Sequence, residues 1–175
     1  MLRLMLLRHA KSSWTDPASD DRDRPLSGRG HKAAAVMGAF MRREKLIPEL
    51  VLCSPARRAR DTWKLASGEL RAAPRTIVED GLYDFGNGGR VLDAIRDKAE
   101  GAKSLLIVGH NPSIERLALR LVGKGTATLK DQLERKYPTG ALSVIDFKTD
   151  AWKEIGDGAG RLVSFTRPRD LVRED

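Results

Sequence analysis

Three short apolar runs constrain this chain more than any other feature: Leu4-Met5-Leu6-Leu7, Leu50-Val51-Leu52-Cys53 and Leu105-Leu106-Ile107-Val108. None carries a polar break, which is how a strand reads when other elements cover both of its faces. The pattern predicts buried strands over residues 2–7, 50–53 and 104–108, with a further one at 76–78. Helical stripes lie between them. Ala33, Val36, Met37, Phe40 and Met41 follow a Ser27 cap. Ala56, Ala59, Trp63, Ala66 and Leu70 follow Ser54-Pro55, a cap and a proline at the first helical position. Asn111-Pro112 repeats that start ahead of Ile114, Leu117, Ala118, Leu121 and Val122. Val91, Leu92 and Ile95 suggest another helix after the glycines at 86, 88 and 89. Residues 141–147 and 161–165 alternate apolar and polar, as half-buried strands do. The polar stretch 14–27 is expected to loop over the first strand end, and the charged segment 167–175 to fray. Strands alternating with helices make this an α/β chain, a layered sandwich with crossover helices.

At 175 residues the chain suits one domain, spanning 1–175, with room for one core. Its net charge of +8 favours anions as partners. No basic run interleaved with aromatics is present, so nucleic acid is not an expected partner. The one cysteine, Cys53, excludes an internal disulfide framework and a cysteine-based zinc site. It fits a small buried core position. The N-terminal apolar stretch is too short for a signal segment, and nothing approaches a membrane span, so the expected compartment is the cytoplasm.

Each apolar run leads into a turn bearing imidazole or guanidinium. The first ends in Arg8-His9, the second leads to Arg57-Arg58, and the third ends in His110. Two of the three histidines thus stand at strand ends, where open parallel sheets gather their ligands. Arg57 and Arg58 fall in a first helical turn, whose free backbone N–H groups already favour an anion. Arginine grips a phosphoryl group through a planar fork that lysine lacks. Two arginines and two imidazoles around one point suit a phosphoryl dianion without a metal. A neutral histidine can attack phosphorus if its other nitrogen donates to a fixed acceptor, splitting one displacement into two.

Five segments then carry a resemblance: Arg8-His9-Ala10-Lys11-Ser12, Arg24-Pro25-Leu26-Ser27-Gly28-Arg29-Gly30, Ser54-Pro55-Ala56-Arg57-Arg58-Ala59 with Thr62, Val108-Gly109-His110-Asn111-Pro112, and Tyr137-Pro138-Thr139-Gly140-Ala141. In this order they resemble the histidine phosphatase superfamily, in its small SixA-like phosphohistidine phosphatase branch. The resemblance implies a three-layer α/β/α sandwich with a mostly parallel central sheet, of the phosphoglycerate mutase-like kind. It also implies a phosphatase needing no metal or cofactor, with His9 as the phosphate-accepting nucleophile. Arg8 and Arg58 would bind phosphoryl oxygens, Arg57 having no counterpart, and His110 would bond the transferring group. Ala10 replaces a frequent glycine, as in the SixA-like branch, and Thr15 stands where many relatives have a phosphate-touching asparagine.

By the same resemblance Asp84, in Leu82-Tyr83-Asp84, falls near the superfamily's general acid, with Glu79 and Asp80 as neighbouring competitors. An alkoxide leaves badly without protonation, whereas imidazole leaving from phosphohistidine is a far weaker base. The expected substrate is therefore phosphohistidine on a protein, such as a histidine phosphotransfer domain or a phosphocarrier. The alternative is a small phosphate monoester with Asp84 as acid. A non-catalytic phosphate-binding module is a further rival. The short chain leaves few residues for a lid and suits an open site and a monomer. Trp14 either walls the site or packs the loop, His31 is read as a surface residue, and Lys11 and Lys124 as solubilising or steering cations. Asp16, Asp20, Asp21 and Asp23 are read as a solvated loop.

Overall fold

Along the first strand, side chains alternate strictly between two cores. A computed structural model describes residues 1–15 and 20–172. In β1 (Leu2–Arg8), Leu2, Leu4 and Leu6 enter one apolar cluster, while Met5 and Leu7 enter another on the opposite face. The same division runs through β2 (Leu50–Cys53), where Leu50 and Leu52 part from Val51 and Cys53. Both faces are covered, so the strands need no polar residue.

Helices complete the two layers. On the Met5 face lie α1 (Gly28–Arg43) and α2 (Arg57–Leu70). After β3 (Arg75–Val78), α3 (Gly89–Lys98) packs on the Leu4 face, joined beyond β4 (Ser104–Gly109) by α4 (Ser113–Leu121). Next come β5 (Val122–Lys124), α5 (Ala127–Arg135), β6 (Leu142–Phe147), β7 (Gly160–Thr166) and α6 (Pro168–Leu171). Among the described residues, seven strands form one sheet in the order β3-β2-β4-β1-β6-β7-β5. The pairs β3–β2, β2–β4, β4–β1 and β7–β5 are parallel; β1–β6 and β6–β7 are antiparallel. This is the expected mostly parallel three-layer sandwich.

Several local expectations need correction. The buried stripe of α1 is Ala34, Met37, Gly38 and Met41, rather than one including Val36 and Phe40. The cause is Gly38: a Cβ there would lie 2.2 Å from the Ala66 carbonyl oxygen, so α1 and α2 meet backbone against backbone. The α4 stripe stops at Leu121, and Val122 begins β5. β5 and α5 fall in a stretch that carries no periodic apolar signal. β6 is buried on both faces rather than alternating, since it sits inside the sheet. Within the segment expected to fray, Pro168–Leu171 instead form α6, packed against α1, with Arg167 and Asp170 closing its first turn, while residues 173–175 lie outside the described residues. Cys53 is buried, and burial pushes its thiol up to about 12, in keeping with a core role. His31 is exposed. Asp16 lies outside the described residues.

An exposed helix glycine replaced by alanine normally gains about 1 kcal/mol. Gly38→Ala should do the opposite, lowering the unfolding free energy by about 1–2 kcal/mol in urea denaturation, as overpacking does. A gain in stability would contradict the close α1–α2 approach.

Candidate active site

The parallel register of β1 and β4 sets the two histidines side by side. Arg8 pairs with Gly109, and the His9 amide donates to the Gly109 carbonyl at 3.0 Å. The imidazoles leave these adjacent strand ends with ring centroids 5.2 Å apart. β2 continues the same edge: the Ser54 amide donates to Val108 O at 3.0 Å, and the chain then enters α2 with Arg58 in its first turn. Ser54 and Asn111 do not cap as expected. The Ser54 hydroxyl accepts from Ala56 N at 3.3 Å, and the Asn111 side chain accepts from Glu115 N, with α4 starting only at Ser113.

His9 Nδ1 lies 2.7 Å from the Ala10 carbonyl oxygen. A carbonyl only accepts, so Nδ1 carries the hydrogen and Nε2 keeps a free lone pair. The acceptor that fixes the His9 tautomer is thus the next peptide. That peptide is itself held: Ala10 N donates to Thr62 Oγ1 at 2.9 Å, and the Thr62 hydroxyl donates to Arg58 O at 2.7 Å. Gly30 holds the next residue by close approach, since a Cβ on it would lie 2.0 Å from the Lys11 carbonyl oxygen.

His110 Nδ1 is 3.4 Å from Arg58 Nη2, and its Nε2 is 2.7 Å from Ser54 Oγ. Because guanidinium only donates, Nδ1 accepts and Nε2–H donates to the serine. Burial pushes both imidazoles down to about 3; the neighbouring Arg58 and Arg8 act in the same direction on each ring. Both are therefore neutral across the physiological range. A dianion beside them would oppose the arginines and favour protonation of His110.

Three guanidinium groups face this point. Arg8 donates through Nη1 to Tyr137 O at 2.9 Å, and Asn111 Nδ2 donates to the same oxygen at 3.0 Å. Tyr137 is buried, and its hydroxyl donates to Leu6 O at 2.5 Å. Arg58 is 1% exposed and is held by the Asp21 backbone oxygen at 2.7 Å and the Asp21 carboxylate at 3.1 Å. Arg24 is also buried, with Trp14 stacked on its guanidinium 3.4 Å from the ring centroid. Nε of all three arginines, and Nη1 of Arg24, are buried without a hydrogen-bond partner among the described residues. Such donors are costly to leave unmet. The three arginines line a cavity of about 260 Å³ together with His9 and neighbouring side chains.

The structure thus brings Arg8, His9, Arg58 and His110 together. It does not bring Asp84 with them. That carboxylate accepts from Gly86 N at 3.3 Å and lies 3.7 Å from Arg90, and the neighbouring Phe85 lines the cavity instead. Glu79 folds back onto Gly81 N, and Asp80 is exposed. Thr15 is exposed and bonds Ser13. Asp21, expected in a solvated loop, pairs with Arg58 and accepts from the Tyr83 hydroxyl; against burial, which raises it, the Tyr83 hydrogen bond and then Arg58 hold its carboxyl below the usual range. Arg24, Asp21 and Phe85 were missed as site residues. Only the Arg24-Pro25-Leu26-Ser27 segment carried a signal for the first. Among the described residues, no three His, Cys, Asp or Glu side chains are placed to hold a metal ion.

Residues 4–89 match the family described as histidine phosphatase superfamily (branch 1). The chain belongs to the histidine phosphatase superfamily. Within this superfamily it resembles the SixA-like members. A solved protein from Nakamurella multipartitia, assigned as a phosphohistidine phosphatase SixA, superposes with a TM-score of 0.82 at 27% identity, covering 95% of this chain and 96% of its own. The phosphohistidine phosphatase SixA homolog of Haemophilus influenzae is 28% identical over 131 residues, 70% of this chain and 79% of that protein. An uncharacterized chloroplastic protein of Arabidopsis thaliana is 47% identical over 182 residues, 97% of this chain and 79% of that one. As a superfamily member the chain is a phosphatase. No helix among the described residues is long and apolar enough to cross a membrane.

The lowered histidine values give a signed expectation. The unfolded chain takes up protons on both rings below pH ~6.5, whereas the folded chain does so only near pH 3. Stability therefore falls as pH drops from ~6.5 towards 3, with each ring accounting for about 2 kcal/mol by pH 5. Denaturation of wild type and of His9→Asn/His110→Asn at pH 7 and pH 5 checks this. The variant should lose less between the two pH values, and an equal loss would contradict neutral buried imidazoles.

Proposed function

We propose that this protein hydrolyses phosphohistidine on a protein partner through a covalent phosphohistidine on His9. The observation that supports this substrate is the cavity wall. It presents Arg8, Arg24, Arg58 and Lys11 to an anion, and among the described residues no carboxylate lines it. An imidazole leaves phosphorus without a carboxylic acid to protonate it, whereas an alkoxide needs one.

In the first step His9 Nε2 attacks phosphorus. The substrate ring carries a proton on its other nitrogen, so when its bond to phosphorus breaks the electron pair stays on the departing nitrogen and neutral imidazole leaves. The His9 proton remains on Nδ1, bonded to Ala10 O, so the phosphorylated ring is a cation stabilised by that carbonyl. Arg8, Arg58 and Arg24, which line the cavity, bind the three phosphoryl oxygens as charge spreads over them. His110, beside Arg58, accepts from its Nη2 and so helps to hold that guanidinium at the cavity. In the second step water attacks the same phosphorus, the bond to His9 Nε2 breaks, and inorganic phosphate leaves. The site needs no metal in either step, so chelators should leave turnover unchanged.

The alternative substrate, a small phosphate monoester, requires an acid, and Asp84 would have to leave Gly86 and Arg90 to serve. Asp84→Asn separates the two. On a phosphohistidine peptide its kcat should stay within about twofold of wild type, and wild-type kcat/KM should exceed that on a phosphoserine peptide of the same sequence by about 100-fold or more. Loss of phosphohistidine turnover in Asp84→Asn, or equal rates on the two peptides, would overturn the reading.

Arg58→Lys keeps the charge and loses the planar fork. It should lower kcat/KM by about 100-fold, or roughly 3 kcal/mol of transition-state binding. Near-normal activity would mean that Arg58 acts only as a point charge.

A further inference from the structure

A second groove opens beside the phosphoryl cavity. Its volume is about 550 Å³, and Lys11 and Thr139 line both, so the two adjoin. The second groove is strongly cationic: Lys11, Arg29, Arg135, Lys136, Arg167 and Arg169 line it, and among the described residues no carboxylate does. Only Arg167 has an acidic partner, Asp170, among the described residues. The other five are exposed and form no ion pair there. They come from four separate places in the fold: the turn after β1, the start of α1, the end of α5 and α6. Arg29 stands in the first turn of α1, where a cation opposes the helix dipole and no acidic residue offsets it. Like charges gathered this way repel one another unless an anion joins them.

We infer that this groove docks an acidic segment of the phosphorylated protein substrate, holding it while the phosphohistidine enters the adjoining cavity. This rests on the protein-substrate reading above. An extended peptide fits an open trough edged by long, exposed side chains better than a small molecule does, since nothing encloses the ligand. Two exposed aromatics, Trp14 (76%) and Phe85 (47%), rim the cavity and offer the contact that protein interfaces favour. The groove itself has no aromatic lining on which nucleic-acid bases could stack.

The test compares two phosphohistidine peptides, one flanked by Asp and Glu and one by Asn and Gln, on wild type and on Arg29→Glu/Arg135→Glu. Both substituted residues are exposed, and an acid at position 29 suits the helix start. Wild type should show a KM about tenfold lower for the acidic peptide, a preference lost in the variant and in about 0.5 M salt. Turnover of a small phosphoramidate should be unchanged in the variant. Binding of the unphosphorylated acidic peptide, followed by fluorescence anisotropy, reads the groove without catalysis. If that binding is present and lost in the variant while no phosphohistidine is turned over, the groove stands and the substrate reading falls. Equal KM values for the two peptides in wild type would overturn the inference. So would equal losses on both in the variant, or an oligonucleotide of matched charge competing as well as the peptide.

Discussion

Everything at the site depends on the pairing of two parallel strands. With Arg8 opposite Gly109, the residues that follow each strand leave the sheet together, and the backbone bond from His9 to Gly109 holds the pair in step. A slip of one residue would send every side chain of β1 to the opposite face. Leu4 and Leu6 would then exchange cores with Met5 and Leu7. The same apolar alternation that stabilises the sandwich therefore fixes where the imidazoles emerge.

From that base, a chain of hydrogen bonds converts position into reactivity. Thr62 ties α2 to the Ala10 amide, the Ala10 carbonyl takes the Nδ1 hydrogen of His9, and Nε2 keeps a free lone pair, which the proposed attack on phosphorus would use. The Tyr137 carbonyl orients Arg8 and Asn111 together, while Asp21 holds the Arg58 fork. These contacts fix the reacting groups before any substrate arrives, which is where catalytic electrostatics gains most. Burial does the rest by keeping both imidazoles neutral. A protonated nucleophile among three arginines would have no lone pair and a large charge repulsion.

Much of this was legible in the sequence because it is local. Unbroken apolar runs marked β1, β2 and β4, and the turns after the first two hold Arg8, His9 and Arg58, which line the cavity. The stripe of α2, from Ala59 to Leu70, was also explicit. Contacts between elements left no such trace. Gly38 counted as neither apolar nor polar, yet it sets the face that α1 buries. Arg24 and Asp21 belong to a polar stretch that reads as solvated loop, and only folding brings them onto Trp14, Arg58 and Tyr83. Asp84 shows the reverse failure: a carboxylate placed near the site by resemblance has its side chain tied into the Gly86 turn.

The most direct measurement is the position of the phosphoryl group on a trapped enzyme. Brief reaction with a small phosphoramidate, followed by phosphorus–nitrogen correlated NMR or mass spectrometry of base-stable peptides, identifies both the residue and the ring nitrogen. The account requires phosphate on Nε2 of His9, acid-labile and lost in His9→Ala. Phosphate on Nδ1, on His110, or on no histidine at all during turnover would contradict it.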